Sequence, residues 1–452
     1  MNPQIFREYD IRGLVDIDLS HDVFVTLGKA IGTYLLTLGP RSTVVARDNR
    51  LSSPAYSAAL IEGIISTGVD VFDAGQVPTP VMYYAVARMG HEAGIMVTAS
   101  HNPVEYNGCK LRTATQILYG PHLQKLRVLA ESGAFSRGSG TARQLDVASR
   151  YLAEVPSLVS LRRPVRVVLD AGNGTTSDIA PLLLGKAGAD VIPLYCESDG
   201  RFPHHLPDPT VEEHMAGLAE KVRETGAELG IGLDGDGDRI GAVDEHGKMV
   251  WGDRLLALYA QGILPSRPSP VVFDTKCSQA LIDEVARLGG SPVIWKTGYP
   301  HIKSKMEEVG ALLAGEMSGH MYFADTYFGY DDGMFAALRL LEAIADHDEP
   351  FSARMSRIPE YPSTPELRLT CTDEDKFRIV DEVKRHFSDG YSVIDVDGVR
   401  VQFGDGWGLV RASNTQPILV VRFEAKTPER LREIRELFRG ILSRFPEIQD
   451  LP

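Results

Sequence analysis

The sequence predicts an α/β protein of four domains: three similar α/β units with mixed, mostly parallel sheets, followed by a smaller α+β C-terminal domain. Three observations predict it. A strand–helix–strand layout recurs three times, in order more than in identity. Each recurrence ends its third strand in a polar loop. The 452 residues are also enough for about three or four ordinary domains. The boundaries expected are 1–146, 147–249, 250–359 and 360–452.

Taken in order, residues 6–13 (FREYDIRG) read as a loop or edge segment, either a solvated end or an arm over a site. A helix is expected over 21–38 and a β-branched strand over 43–48. Ser53 and Pro54 then supply an N-cap and a proline at the first helical position. Apolar Leu60, Ile61, Ile64 and Ile65 follow at helical spacing, and Gly68 closes the helix. Strands 69–72 and 95–97 complete the first unit, the latter feeding the loop TASHNP at 98–103. The second unit has strand 165–170, a Gly172–Asn173–Gly174 turn into a helix, and strands 190–194 and 229–233. It ends at DGDGDR, 234–239. The third has strand 270–274, a helix capped by Ser278 and ending near Gly289, strand 292–295, and an apolar run 311–314. That run leads to GEMSGH, 315–320. Residues 360–365 read as a linker. Beyond it, helices over 373–387 and 427–444 flank a polar loop, 404–417.

Composition limits the function. A hydrophobic content of 43% is globular. The net charge of -14 argues against non-specific nucleic-acid binding, although basic residues can still gather locally around an anionic ligand. Cys109, Cys196, Cys277 and Cys371 are scattered and form no CxxC pair, so neither a disulfide framework nor a zinc site is expected. There is no apolar leader and no membrane-length apolar run. A cytoplasmic protein with reduced thiols and no membrane partner is the expectation; the oligomeric state is not readable.

The three loops and the C-terminal loop carry the chemistry. Ser100 leaves a buried strand at the end where α/β folds keep their sites. A hydroxyl there needs a base, a metal or a placed electrophile to act as a nucleophile; alone, Ser100 reads as a turn or cap residue. Asp234, Asp236 and Asp238 alternate with glycine, which puts three carboxylates on one side of an extended loop. Such like charges call for a cation, and all-oxygen ligation suits Mg²⁺. An EF-hand is the rival, with Glu245 at its twelfth position, but Arg239 stands where that loop needs glycine. Arg239 itself offers a fork for phosphate oxygens, or a counter-ion for the aspartates. Glu316 and Ser318, with His320 beyond, suit paired sugar hydroxyls, while a metal-ligand role for Glu316 and His320 stays open. Arg411, Ser413, Asn414 and Thr415 form a compact anion nest or a polar turn before Pro417.

Together these loops resemble the α-D-phosphohexomutase family, in its bacterial phosphomannomutase/phosphoglucomutase branch. TASHNP at 98–103 resembles its phosphoserine loop, DGDGDR at 234–239 its magnesium loop, GEMSGH at 315–320 its sugar loop and RASNT at 411–415 its phosphate loop. The segment 6–13 resembles its amino-terminal signature. The likeness covers nearly the whole chain in the family's order.

The resemblance implies four domains around a central cleft and a mutase that interconverts hexose 1- and 6-phosphates. The route it implies runs through phosphorylated Ser100 and a hexose 1,6-bisphosphate, which also serves as activator. It implies Mg²⁺ on Asp234, Asp236, Asp238 and the oxygen of Ser100. The catalytic set it implies is Ser100, Lys110, Arg12, Arg239 and His101, with Lys110 and Arg12 handling protons. For substrate it implies Tyr9, Lys276, Lys296, Glu316, Ser318, His320, Arg411, Ser413, Asn414 and Thr415. One departure stands out. Relatives often read KTGHS where this chain has KTGYP at 296–300, so Tyr299 or His301 is left to take the histidine's part. A phosphoserine-dependent phosphatase and a non-catalytic sugar-phosphate sensor are the alternative readings. No motif reads the C2 hydroxyl, so the sugar is glucose, mannose or both.

Overall fold

The computed structural model describes residues 1–413 and 417–448. The chain forms two compact units, one from Met1–Leu255 with Ser318–Arg354, the other from Leu256–Met317 with Met355–Pro452. Among the described residues, no helix is long and apolar enough to cross a membrane.

The first unit holds two mixed sheets. The six-stranded one runs, in spatial order, Ile11–Leu14, Tyr106–Thr113, Ala93–Val97, Ser42–Arg47, Asp70–Gln76 and Ala142–Gln144. Its first two pairings are antiparallel and the other three parallel. The five-stranded one runs Met249–Val250, Ile240–Asp244, Leu229–Leu233, Arg166–Asp170 and Asp190–Leu194, again with two antiparallel and then two parallel pairings. Helices His21–Leu38 and Ser53–Ile65 pack closely together against the first sheet. Glycines permit that approach. A methyl on Gly28 would lie 2.3 Å from the Leu60 carbonyl, and one on Gly63 2.2 Å from that of Val25.

In the second unit, strand Pro270–Asp274 is flanked by Ser291–Trp295 and Leu313–Gly315, all parallel. The C-terminal sheet is antiparallel throughout, in the order Leu367–Thr370, Ile418–Ala425, Gly406–Ala412, Val399–Gln402, Ser392–Ile394. Helices Asp375–Ser388 and Pro428–Leu442 bury Ile379, Val383, Ile434 and Phe438 against it.

Three local readings are corrected. Ser53 does not cap its helix: Ser52 takes the N-cap position, and the Ser53 hydroxyl donates to Asp48 instead. The Gly172 turn does not run straight into a helix, which starts only at Ala180. The strand Tyr106–Thr113 has no counterpart in the sequence reading, because buried Asn107, Lys110 and Arg112 make it look like a loop. By contrast, Ser278 does cap its helix, accepting from the Ala280 amide at 3.0 Å.

One topology repeats in all three α/β sheets. The first parallel strand lies in the middle, with the second on one side and the third on the other. Loops after the first and third strands therefore leave neighbouring strands at the same end, where open α/β sheets bind ligands.

Candidate functional site

In the first unit, Ser100 stands at the head of the loop after strand Ala93–Val97. It is buried, with a left-handed backbone at φ 52°. That conformation costs an ordinary residue about 1–2 kcal/mol, so the surroundings must hold it. Its amide donates to Thr98 Oγ1 at 2.9 Å. Its hydroxyl donates to Asp234 Oδ2 at 2.7 Å and lies 3.1 Å from His101 Nδ1. The serine loop and the aspartate loop are thus in direct hydrogen-bond contact.

The aspartate loop joins the antiparallel strands Leu229–Leu233 and Ile240–Asp244. No helix enters it, and Glu245 accepts from Ser352 instead of closing a calcium loop, so the EF-hand reading fails. Asp234, Asp236 and Asp238 are fully buried, and one oxygen of each lies within 4.8 Å of the others. Asp234 Oδ1 accepts from the amides of Gly237 and Arg239. Lys110 bridges the other two, donating to Asp236 Oδ2 at 2.7 Å and also to Asp238. Thr79 Oγ1 donates to Asp236 Oδ2 at 2.6 Å. Burial and the two neighbouring carboxylates push Asp234 well above the usual carboxylate range. Burial and Asp236 likewise raise Asp238. Asp236 goes the other way, because Lys110 outweighs its burial.

This donor set fits a hard divalent cation. It is all oxygen, one lysine offsets three carboxylates, and Oδ1 of Asp236 and of Asp238 are buried with no hydrogen-bond partner. A second acidic group adjoins it: His320 Nδ1 lies 2.9 Å from Asp331 and 3.6 Å from Asp238. Burial disfavours a charged His320, but those two carboxylates outweigh it and its pKa is raised. Arg239 Nε donates to His320 Nε2 at 3.0 Å, which places the ring's proton on Nδ1. Glu316 belongs to neither group, so its proposed alternative as a metal ligand gains no support among the described residues.

Arg12 reaches the serine loop by donating to Asn102 Oδ1 at 2.6 Å, while Asp10 holds its other end. Tyr9 is half-buried just before strand Ile11–Leu14. Burial and the cations Arg239, Arg12 and Lys110 depress His101 well below an ordinary histidine, keeping it neutral.

In the second unit, Glu316 Oε1 accepts from the Gly298 amide at 2.7 Å, at the start of helix Tyr299–Val309. Lys276 Nζ lies 3.2 Å from Glu366 and 3.6 Å from Asp274. Burial opposes that ammonium, but the two carboxylates outweigh it and its pKa rises. Lys276 in turn lowers Glu366 to about 2. Asp397 ties two regions together, 3.0 Å from Arg411 Nε and accepting from the Thr297 amide at 3.1 Å. Ser413 is buried, and its carbonyl accepts from Lys376 at 2.6 Å. Tyr299 is buried in the first turn of its helix, whereas His301 is half-buried, and burial and Lys296 lower its pKa. Lys296 is exposed and Ser318 half-buried. Asn414 and Thr415 lie outside the described residues.

Sequence reasoning missed Arg50, Thr79, Asp274, Asp331 and Asp397, all of which bond or pair with residues of these loops. Arg50 and Asp274 stand at or just beyond the end of the first strand of a unit, a position the repeat makes findable.

Comparison with known proteins gives one consistent result. Models of a single family match four successive stretches of the chain between residues 3 and 441. Phosphoglucomutase/phosphomannomutase alpha/beta/alpha domain I matches residues 3–133, domain II 149–247, domain III 251–361 and the C-terminal domain 366–441. The chain is 44% identical over 440 residues to a phosphomannomutase/phosphoglucomutase of Pseudomonas aeruginosa, covering 97% of this chain and 95% of that protein. It is 37% identical over 450 residues to a phosphoglucomutase of Neisseria gonorrhoeae, covering 98% of both. Among solved structures it resembles a phosphoglucomutase/phosphomannomutase family protein of Burkholderia thailandensis, with a TM-score of 0.93, 40% identity and 98% coverage of both chains.

Proposed function

The chain belongs to the phosphoglucomutase/phosphomannomutase family, and on that premise we propose that it interconverts hexose 1-phosphates and hexose 6-phosphates, with glucose and mannose as the sugars. The observation that carries the reading is the Ser100 hydroxyl, 2.7 Å from Asp234 of a buried three-carboxylate cluster, on a strained loop.

Ser100 carries the phosphoryl group. The bond from phosphorus to Ser100 Oγ breaks as one forms to the free hydroxyl oxygen of the hexose monophosphate, whose proton leaves to a base. The product is a hexose 1,6-bisphosphate, which turns over within the site. Its other phosphoryl group then returns to Ser100 Oγ, and the freed sugar oxygen takes up a proton. Protein groups contribute alignment and charge to such a transfer rather than covalent chemistry. Asp234, Asp236 and Asp238, with an oxygen on Ser100, would hold Mg²⁺, which when bound supplies positive charge at the transferring group. Arg239 adds a fork for the phosphoryl oxygens. Lys110, paired with Asp236 and Asp238, gives a proton to the departing sugar oxygen. Glu316 and Ser318 grip the sugar hydroxyls, and Lys276, Arg411 and Ser413, with Asn414 and Thr415, hold the phosphate that is not reacting. A trace of hexose 1,6-bisphosphate primes the serine.

The test is Ser100→Ala in a coupled assay with Mg²⁺ and a trace of glucose 1,6-bisphosphate, offered glucose 1-phosphate, mannose 1-phosphate and glucosamine 1-phosphate. The wild type should convert the first two, and the variant should lose about 10³-fold or more in kcat while still binding sugar phosphate. Wild-type turnover by the variant refutes the assignment. Release of inorganic phosphate in place of isomer would make the protein a phosphatase.

A further inference from the structure

Something must hold Ser100 in its left-handed conformation, and its bonds to Thr98, His101 and Asp234 engage its amide and hydroxyl. Its carbonyl is held by Arg50, from the loop after the neighbouring strand Ser42–Arg47. The Arg50 side chain is 1% exposed. Its Nη2 donates to the carbonyls of Ser100 at 2.8 Å and Asn102 at 2.6 Å. Its Nη1 donates to those of Pro103 at 2.7 Å and Tyr106 at 3.1 Å. Nε lies 3.2 Å from Asp48, and the plane faces the Phe202 ring at 5.2 Å. Both terminal nitrogens of a rigid, permanently charged fork are thus spent on one loop.

The charge matters as much as the bonds. A phosphate on Ser100 brings close to two negative charges beside three carboxylates. Burial lowers the Arg50 pKa, but guanidinium stays protonated, so a fixed cation lies behind the serine and needs no reorganisation when the phosphate arrives.

We propose that Arg50 is a positioning residue of the phosphoryl transfer, holding Ser100 in its strained conformation and supplying buried positive charge that favours the phosphorylated serine. This rests on the reading of Ser100 as the phosphate carrier. Arg50 touches no reacting atom; it acts through the carbonyls of residues 100–106.

The variants are Arg50→Lys, which keeps a charge on one nitrogen, and Arg50→Met, which removes it. Each is followed by intact mass for Ser100 phosphorylation at equilibrium with glucose 1,6-bisphosphate, and by steady-state kinetics. Arg50→Lys should lower kcat about 10²-fold with KM changed less than about threefold. Arg50→Met should also lower the phosphorylated fraction of Ser100 at equilibrium, about tenfold relative to wild type. A structural role alone would shift melting temperature and leave that fraction and the kcat-against-KM split in place. Wild-type kcat in Arg50→Lys overturns the proposal. Should neither variant fold, Arg50→Gln, which keeps donors without the charge, is measured in the same way, and wild-type kcat with wild-type phosphorylation there overturns it. If wild-type Ser100 never takes up phosphate, the parent reading falls and this one with it; if it does, and Arg50→Lys behaves as wild type, only this one falls.

Discussion

Replacing Gly235 with alanine tests whether the serine and aspartate loops are fitted to one another. A methyl at that position would lie 2.5 Å from the Ser100 carbonyl oxygen and 3.1 Å from Pro207 Cγ. Neither neighbour yields easily. The carbonyl is pinned by Arg50 at 2.8 Å, and the Gly235 amide donates back to the Pro207 carbonyl at 3.1 Å. Ordinary contact begins near 3.4 Å, so the loops must part by roughly 0.9 Å. Overpacking of that kind costs about 1–3 kcal/mol, and moving a reacting group by about 1 Å costs about 10²-fold in rate. The control is Gly185→Ala. That residue lies in helix Ala180–Lys186 with nothing within 4 Å of the new methyl. The same chemical change there should stabilise by up to about 1 kcal/mol and leave the rate alone. Thermal melts and the coupled mutase assay on both variants separate the effects. Gly235→Ala with wild-type kcat and the stability of its control would show that the close approach does not constrain Ser100.

Two carboxyls, one buried and one a quarter exposed, should give pH dependences of opposite sign. Asp332 caps helix Gly333–Ala345 and accepts from Tyr151 and Tyr327 at 2.7 Å; burial raises it to about 6 from an ordinary 3.8. The folded state then binds the proton more tightly, so stability falls as pH rises from about 4 to about 6, by about 3 kcal/mol in all, and is flat above. Asp332→Asn should remove that slope in denaturant titrations, and an unchanged slope would refute the assignment. Glu366 is depressed by Lys276 to about 2, so its contribution is complete above about 4.5 and is lost as pH falls toward 2. With the carboxylate a quarter exposed, Glu366→Gln should cost about 2–3 kcal/mol at pH 7, a gap that closes below pH 4.5; a pH-independent gap would mean that the pair is not its source.

The sequence carried the parallel strands well, because β-branched runs such as 43–48 and 166–170 are buried on both faces and interrupted by little else. It hid strand Tyr106–Thr113, whose buried polar residues belong to the site: Lys110 is there to meet Asp236 and Asp238, not to solvate a surface. The site loops were legible for a related reason. Three carboxylates separated by glycines are hard to explain as a solvent-facing turn, and Ser100, a turn residue when read alone, takes its meaning from the loops beside it. The residues that hold those loops were not legible, since Asp331 or Asp397 shows its meaning only once folding has brought it to His320 or Arg411.

Other supports, Arg50 and Asp274 among them, follow a rule that the repeat itself sets. In each α/β sheet the first strand lies beside the third, and an aspartate ends it or directly follows it: Asp48, Asp170 and Asp274. All three are buried. Asp48 turns its loop by accepting from the Arg50 amide at 3.1 Å, and Arg50 carries the contact on to Ser100. Asp170 does the same with Gly172 at 2.7 Å and lies 3.1 Å from His205. The residues after that histidine deliver the Pro207 carbonyl to Gly235, inside the aspartate loop. Asp274 accepts directly from the Met317 amide at 3.3 Å, next to Glu316. A carboxylate at the end of the first strand thus reaches the third loop in all three sheets, although the link runs through a guanidinium, an imidazole with its following segment, or no intermediary at all.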